Sequence, residues 1–417
     1  MIKRRIFDEV LKWIDEDRII IIKGARQTGK TTLLKYLMNY LENSHKRVIY
    51  FSIDNEIYNP AFENPNLLIK YLKSQYEITK NEKMILILDE FQYLRDPGLF
   101  LKVLYDNYKD MFKIIVSGSS SLELSKTREF LTGRKIEFVL ERFDFLEFLI
   151  AKSKNKYDFS FKLNQSNDIN DFIKIYKEDL KNNLLEYINF GGYPEIVLTE
   201  NIEKKRLKLK EIVNTYIKKD VVDYLKVENI SGFNNLVSIL FSSTGSMLNK
   251  DELSNTVGLN IRTTNKYLDI LQNTFILTYL SPFYKNIRKE VSKMKKVYSN
   301  DLSFNTLYSG LMYDKFDLIS GNIIENFVFL VLKDFDYLYY YRTKTKAEID
   351  FILKINNELI PIEVKFTNRI KYNSRILKYF EKNYNAKFSI IITKDEYFVK
   401  DKVFFVPVFL LPFIEFI

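Results

Sequence analysis

Ile19-Ile20-Ile21-Ile22-Lys23-Gly24-Ala25-Arg26-Gln27-Thr28-Gly29-Lys30-Thr31-Thr32 is the stretch that decides the fold. Four apolar β-branched residues in a row, with no polar alternation, read as a strand buried on both faces, as in a parallel sheet. The strand runs into Gly24-x-x-x-x-Gly29-Lys30-Thr31, and Thr32-Leu33-Leu34-Lys35-Tyr36-Leu37 then carries helical periodicity. Strand, glycine-rich loop and helix in that order build a phosphate cradle. The glycines let the loop curl so that its backbone N–H groups, from Gly24 to Thr32, point at a bound phosphate. Lys30 neutralises the outer phosphate oxygens, the Thr31 hydroxyl ligates Mg²⁺, and the helix N-terminus adds a favourable field.

A second apolar run, Met84-Ile85-Leu86-Ile87-Leu88, ends at Asp89 and Glu90. In a parallel sheet that end lies beside the loop, where Asp89 can hold the Mg²⁺ shell and Glu90 can polarise an attacking water. The pair completes Walker A and Walker B signatures, and ATP with Mg²⁺ is the expected cofactor set. Val48 to Phe51 and Ile114 to Val116 read as further strands, the latter ending at Ser117-Gly118-Ser119-Ser120. Ser117 is a candidate γ-phosphate sensor, with an ordinary turn serine as the bland reading. Arg134 is a candidate for completing the site in cis or from a neighbouring subunit, with a solvated surface charge as its alternative.

The composition narrows the remaining possibilities. With 417 residues the chain is long enough for roughly three domains. Hydrophobic residues make up 46% and charged residues 28%, as in a globular protein rather than a disordered one. The absence of cysteine excludes disulfides, thiolate zinc sites and cysteine nucleophiles, and a single histidine, His45, excludes multi-histidine metal clusters. The N-terminus lacks a secretory signal and no apolar run reaches membrane-spanning length, so a cytoplasmic protein without membrane contact is expected. A net charge of +10 fits an anionic partner. Residues 231–300 concentrate it, with nine Lys or Arg against four Asp or Glu.

The pattern predicts an α/β multidomain chain. A parallel-sheet P-loop domain occupies 1–150, a helical lid or linker without strand runs 151–230, a winged helix-turn-helix 231–300, and a further α/β domain 301–417. Within 231–300, Leu248 to Gly258 reads as a short helix and Arg262 to Gln272 as a second one after a turn. Phe275 to Phe283 and Val291 to Ser299 would form the wing, with Lys285, Arg288 and Lys289 between them. Arg262 and Lys266 are the candidate nucleic-acid contacts. A solvated basic face, or a protein-contact module, is the plainer alternative.

In the last third, Glu325 lies on the helical stretch Asn322 to Lys333, Asp350 within a strand, and Glu363-Val364-Lys365 at the end of another. Period-two geometry puts Glu363 and Lys365 on one sheet face. Glu325, Asp350 and Glu363 can hold Mg²⁺ while Lys365 offsets charge developing on a phosphodiester, so Asp350, Glu363 and Lys365 are candidate catalytic residues.

Taken together, the chain resembles the AAA+-like ATPases of archaea and bacteria that carry a C-terminal restriction-endonuclease-like domain of the PD-(D/E)xK type. The resemblance rests on Lys3-Arg4-Arg5, Gly24 to Thr32, Leu88-Asp89-Glu90-Phe91-Gln92, Ser117-Gly118-Ser119-Ser120-Ser121 and Gly133-Arg134. It extends through Phe145-Leu146-Glu147-Phe148, Gly191-Gly192-Tyr193-Pro194-Glu195, Tyr216-Ile217-Lys218-Lys219-Asp220-Val221, Tyr341-Arg342-Thr343 and Glu348-Ile349-Asp350-Phe351 to Pro361-Ile362-Glu363-Val364-Lys365. Arg142-Phe143-Asp144-Phe145 stands where such families often show Pro-Leu-Ser-Phe, a departure that leaves the ATP site untouched.

The resemblance implies an ATPase whose nucleotide state is coupled to nucleic-acid binding or Mg²⁺-dependent cleavage, with DNA ahead of RNA. The competing reading is an ATP-switched regulator that binds DNA or protein and keeps an inactive nuclease-like scaffold. Homo-oligomers, such as the rings of AAA+-like relatives, and a protein partner stay open.

Overall fold

The computed structural model describes residues 2–78, 83–119, 131–153, 157–215, 227–284, 293–367 and 374–416. Ser120 and Ser121, Tyr216 to Val221, and Lys285, Arg288 and Lys289 of the expected wing lie outside the described residues. The chain divides into two compact units. One comprises Met1–Phe143 with Asn273–Phe275, the other Asp144–Gln272 with Ile276–Ile417.

The first unit is built on five parallel strands, β1 (Ile19–Lys23), β2 (Val48–Ser52), β3 (Met84–Asp89), β4 (Phe112–Gly118) and β5 (Lys135–Val139), in the order β2-β3-β4-β1-β5. β3 and β4 are buried throughout, their apolar runs flanked by buried polar residues, of which Lys113 donates to the carbonyls of Glu16 and Arg18 at 2.6 and 2.7 Å. Alternate side chains enter opposite layers. Ile19, Ile21, Leu86, Leu88 and Ile114 pack against helices Pro65–Gln75 and Pro97–Tyr108, whereas Ile20, Ile22, Ile85 and Ile87 pack against helix Lys30–Asn43. β5 is half-buried at one edge of the sheet.

The second unit starts with helix Phe145–Ser153, the short strand β6 (Phe161–Lys162) and the long helix Ser166–Phe190. β6 sits in a segment expected to lack strands; its two residues are held by pairing with the far C-terminus, where Phe161 lies opposite Ile414. Helices Ile230–Ser242, Lys250–Val257 and Ile261–Asn273 follow, and then an antiparallel hairpin of β7 (Leu277–Leu280) and β8 (Lys296–Ser299). Asn249 caps the second of these helices by accepting from the Glu252 N–H, and Gly258, at φ 66°, ends it in the left-handed conformation that glycine tolerates best.

Helix Gly321–Leu332 leads into the larger sheet of this unit. β9 (Leu338–Arg342), β10 (Glu348–Ile355) and β11 (Glu358–Val364) form an antiparallel meander, helix Arg375–Tyr384 crosses over, and β12 (Ser389–Thr393) returns parallel to β11. β13 (Phe398–Lys400) and β14 (Val403–Pro407) complete the order β13-β14-β12-β11-β10-β9, and β15 (Ile414–Glu415) pairs with β6. The apolar C-terminal stretch is core, with Phe405 to Leu411 buried. No described helix is long and apolar enough to cross a membrane.

Gly191-Gly192-Tyr193-Pro194 closes the long helix against this core. Gly191 has φ 73°, and a Cβ there would come within 2.0 Å of Asp301 Oδ1. The same carboxylate accepts from the Gly192 N–H at 3.1 Å and caps helix Leu302–Ser309 through the Ser303 N–H at 2.9 Å. Tyr193, fully buried, packs its ring 6.1 Å from that of Phe304. Gly191→Ala combines left-handed strain with a clash, and should destabilise the second unit by about 3 kcal/mol. Chemical denaturation checks this, and an unshifted midpoint would contradict it.

Candidate functional site

The turn after β1 is shaped by close backbone approach. A Cβ on Gly24 would lie 2.1 Å from the Leu140 carbonyl oxygen, so only glycine fits there. Gly29 has φ 95° and Gln27 φ 61°, which wind the loop into the first turn of helix Lys30–Asn43. Thr28 donates its hydroxyl to the Ala25 carbonyl at 2.9 Å, and Lys30 Nζ donates to the carbonyls of Gly24 and Ala25 at 3.1 and 2.9 Å. Arg26, Gln27 and Thr32 are exposed, and Thr31 is half-buried in the first turn.

Arg4 braces this loop from below. Its buried guanidinium donates to the carbonyls of Thr28 at 2.9 Å and Glu141 at 2.7 Å, and stacks over Phe143 at 4.8 Å. Nothing in the local sequence around Lys3-Arg4-Arg5 marks that role, because its partners lie about 24 and 137 residues away.

Parallel register brings the acidic strand end to the same sheet edge. Lys23, the last residue of β1, lies opposite Gly118, and Ser52 lies opposite Asp89. Asp89 is completely buried. Its Oδ2 accepts from Tyr50 at 2.8 Å, and its Oδ1 accepts from Ser117 Oγ and from the Glu90 N–H at 3.1 Å. Burial pushes the Tyr50 phenol well up, and the Asp89 carboxylate adds to the shift. Ser117 thus orients Asp89 with its hydroxyl and also accepts from the Glu90 N–H at 3.3 Å. Arg134 is not brought to the loop: it precedes β5 at the opposite end of the sheet, where its carbonyl accepts from Ile19, and its guanidinium grips Asp106 through two oxygens at 2.7 and 3.2 Å.

In the second unit, Arg262 and Lys266 stand exposed one turn apart on helix Ile261–Asn273, while Tyr267, Leu268 and Leu271 face the core. Glu325 and Asp350 do come together, with Glu348, around a lysine that sequence patterns did not single out, whereas Glu363 pairs with Lys365. Lys296, on β8 and only 3% exposed, places Nζ 2.5 Å from Glu348, 2.9 Å from Glu325 and 3.9 Å from Asp350. Tyr298 also donates to Glu325 at 2.7 Å. Burial lowers the proton affinity of the Lys296 ammonium, but Glu325, Asp350 and Glu348 together outweigh it and raise it.

Asp350 Oδ2 accepts from the Val364 N–H at 2.8 Å, and Lys365 pairs with Glu363 at 2.6 Å. Glu363 Oε2 is buried without a hydrogen-bond partner. Among the described residues no three Asp, Glu, His or Cys side chains gather as a metal-ligand set. The arrangement does not fit a divalent cation as it stands, since an ammonium already occupies the centre of the carboxylates.

Residues 16–149 match the family described as an AAA domain. The first unit carries an AAA-type P-loop ATPase domain. Residues 181–313 and 320–411 match domains of unknown function, DUF8612 and DUF4143. An uncharacterized protein of Methanocaldococcus jannaschii is 29% identical over 96% of this chain and 86% of its own. Another, of Haemophilus influenzae, is 24% identical over 88% and 87%. A solved structure of the replication initiator DnaA bound to AMPPCP and single-stranded DNA aligns over 65% of this chain and 90% of its own at 17% identity, with a TM-score of 0.31.

Within the AAA domain, the chemistry of the residues at this edge suits a nucleotide with its ion: backbone N–H donors of a tightly wound loop, the Lys30 ammonium, and hard oxygens on Thr31 and Asp89. The carboxylate cluster of the second unit behaves differently. Burial first, and then the Glu325 charge, push the Asp350 carboxyl up to about 7, against the pull of Lys296, the Val364 N–H and Lys365. An acid whose folded value lies above its unfolded one loses stability as pH rises between the two, with no loss below about pH 4 and the full loss above about pH 7. Asp350→Asn should therefore gain melting temperature relative to the parent chain between about pH 5 and about pH 8, on the order of 5 °C. A difference that stays constant across that range would contradict the assignment.

Proposed function

We propose that this chain is an ATP-hydrolysing switch whose nucleotide state governs nucleic-acid binding by its second unit, with DNA as the preferred partner over RNA. The observation that carries it is the convergence of Lys30, Thr31, Asp89 and Glu90 on one edge of a parallel sheet within an AAA domain. Loop N–H groups and Lys30 hold the β- and γ-phosphates, while Thr31 and Asp89 would hold Mg²⁺, which supplies charge neutralisation on those phosphates. Glu90 polarises a water whose oxygen bonds to the γ-phosphorus as the bridging oxygen leaves with ADP.

The four segments 1–150, 151–230, 231–300 and 301–417 take separate roles in this reading: ATPase, helical lid, winged helix and nuclease-like domain. Support for the winged helix comes from three helices followed by a hairpin, with Arg262 and Lys266 exposed on the third helix. Support for a restriction-endonuclease-like origin of the last segment comes from its order of helix, three-stranded meander, crossover helix and parallel strand. Lys296 at the centre of the carboxylates favours a nuclease-like scaffold over a working nuclease. Arg134 keeps a role in trans only if a neighbouring subunit reaches it.

One observation favours the second reading, Mg²⁺-dependent cleavage by Asp350, Glu363 and Lys365 with Glu325. Asp350 and Glu363 lie on adjacent strands one step beyond the Phe351–Ile362 pair, and Glu363 keeps a buried oxygen without a partner. Calorimetric titration with Mn²⁺ in the absence of nucleotide separates the two. The scaffold reading expects no binding that depends on Asp350 and Glu363; cleavage requires it, together with nicking of plasmid or single-stranded DNA.

For the AAA domain, Lys30→Ala should abolish measurable ATP binding while the chain stays folded, and Glu90→Gln should keep binding but lower turnover by at least about 100-fold. Undiminished affinity in the first variant, or parental turnover in the second, would overturn the assignment. Reversing charge at Arg262 and Lys266 should weaken duplex binding across sequences and flatten its salt dependence by about two units of slope. Fluorescence anisotropy over a salt series reads this, and an unchanged slope would return the helix to a protein-contact role.

A further inference from the structure

We propose that Gln92 is a positioning residue for the hydrolytic water of the AAA domain, holding the Glu90 carboxylate and tying it to Ser119 at the tip of β4. The proposal rests on Glu90 being the water-polarising group.

Glu90 is held in a conformation that L-residues disfavour, φ 53° and ψ 40°. Its backbone is fixed from β3 and β4, where Asp89 Oδ1 and Ser117 Oγ both accept from its N–H. Its side chain is fixed by a separate pair. Gln92, on the single turn Phe91–Tyr93, donates Nε2 to Glu90 Oε2 and also to Ser119 Oγ at 3.1 Å, and Ser119 Oγ stands 3.4 Å from the same Glu90 oxygen.

The amide is held there at a cost. Gln92 Oε1 is buried without a hydrogen-bond partner. Turning the amide over would relieve nothing, because its oxygen would then face the Glu90 carboxylate. The strand beside it is also adapted: a Cβ on Gly118 would come within 2.9 Å of Gln92 Oε1 and 3.2 Å of the Phe91 ring. Gly118 is in turn the residue opposite Lys23, directly before the phosphate loop.

Oε2 of Glu90 is therefore committed to the amide, and the carboxylate cannot rotate freely. That leaves Oε1 in a fixed direction for water, at the sheet edge where the proposed function puts the γ-phosphate. A side chain free to swing would spend most of its time away from the attacking geometry.

The test is steady-state ATP hydrolysis with parallel nucleotide titration for Gln92→Ala, Gln92→Glu, Ser119→Ala, Glu90→Gln and the Glu90→Gln, Gln92→Ala double variant. Gln92→Ala is expected to lower kcat on the order of 10- to 100-fold while the ATP Kd stays within about twofold. Gln92→Glu should be no better, since a second carboxylate repels the first. On the Glu90→Gln background, Gln92→Ala should add no further loss. Ser119→Ala, which removes only the hydroxyl shared by the amide, should show a smaller loss and keeps the test open if Gln92→Ala fails to fold.

Gln92→Ala at or above the parental kcat, or a loss that adds in full to that of Glu90→Gln, would overturn the proposal. Parental turnover in Glu90→Gln would instead overturn the reading on which it rests, so the two failures are told apart by which variant retains activity.

Discussion

Everything at the nucleotide site depends on the parallel pairing of β1 with β4 and of β4 with β3. Because all strands of the sheet run one way, each delivers its C-terminal residue to the same edge. The loop leaves β1 there, Asp89 ends β3 there, and Ser117 and Gly118 end β4 between them. Antiparallel placement of either neighbour would send the acid and the loop to opposite ends. The right-handed crossovers that parallel pairing demands are supplied by helices whose apolar faces form the two layers of core, so packing and site geometry have one cause.

The second unit shows how a buried charge is managed without a histidine or cysteine. Lys296 enters from the hairpin, while Glu325 comes from a helix and Glu348 and Asp350 from β10. A buried ammonium of this kind persists only with several carboxylate partners, and Asp350, pushed up by burial and then by the Glu325 charge, is the carboxyl that most readily takes a proton. The same helix is tied to the hairpin by Asn326, which exchanges hydrogen bonds of 2.8 Å with the Ser299 backbone N–H and carbonyl. The hairpin and the larger sheet are thereby fastened through polar contacts rather than by apolar packing alone.

Local signals were legible in the sequence. The strand–loop–helix around Gly24 to Thr32 and the run ending at Asp89-Glu90 are set by residues within one turn or one strand of each other, so periodicity and turn chemistry suffice to place them. The helix pair around Gly258 is legible for the same reason. β5 escaped notice because Lys135-Ile136-Glu137-Phe138-Val139 alternates and lies at an edge, with a pattern as weak as many loops.

Lys296 and Glu348 escaped for a different reason: their contacts span tens of residues, and a lysine in a basic segment looks like surface charge until the fold buries it. Ser117 and Arg134 illustrate the limit of motif reading, since one spends its hydroxyl on Asp89 and the other pairs with Asp106 at the far end of the sheet. Residue type and order identified them as candidates; only tertiary placement shows what each touches.

Asp89, buried and oriented by Tyr50 and Ser117, is the residue proposed to hold the ion that accompanies ATP on the loop. Titrating ATP into the parent chain and into Asp89→Asn, each with and without Mg²⁺, tests it most directly. Mg²⁺ should tighten binding to the parent chain, and Asp89→Asn should remove most of that gain while leaving Mg²⁺-free affinity unchanged. The same Mg²⁺ dependence in both proteins would contradict it.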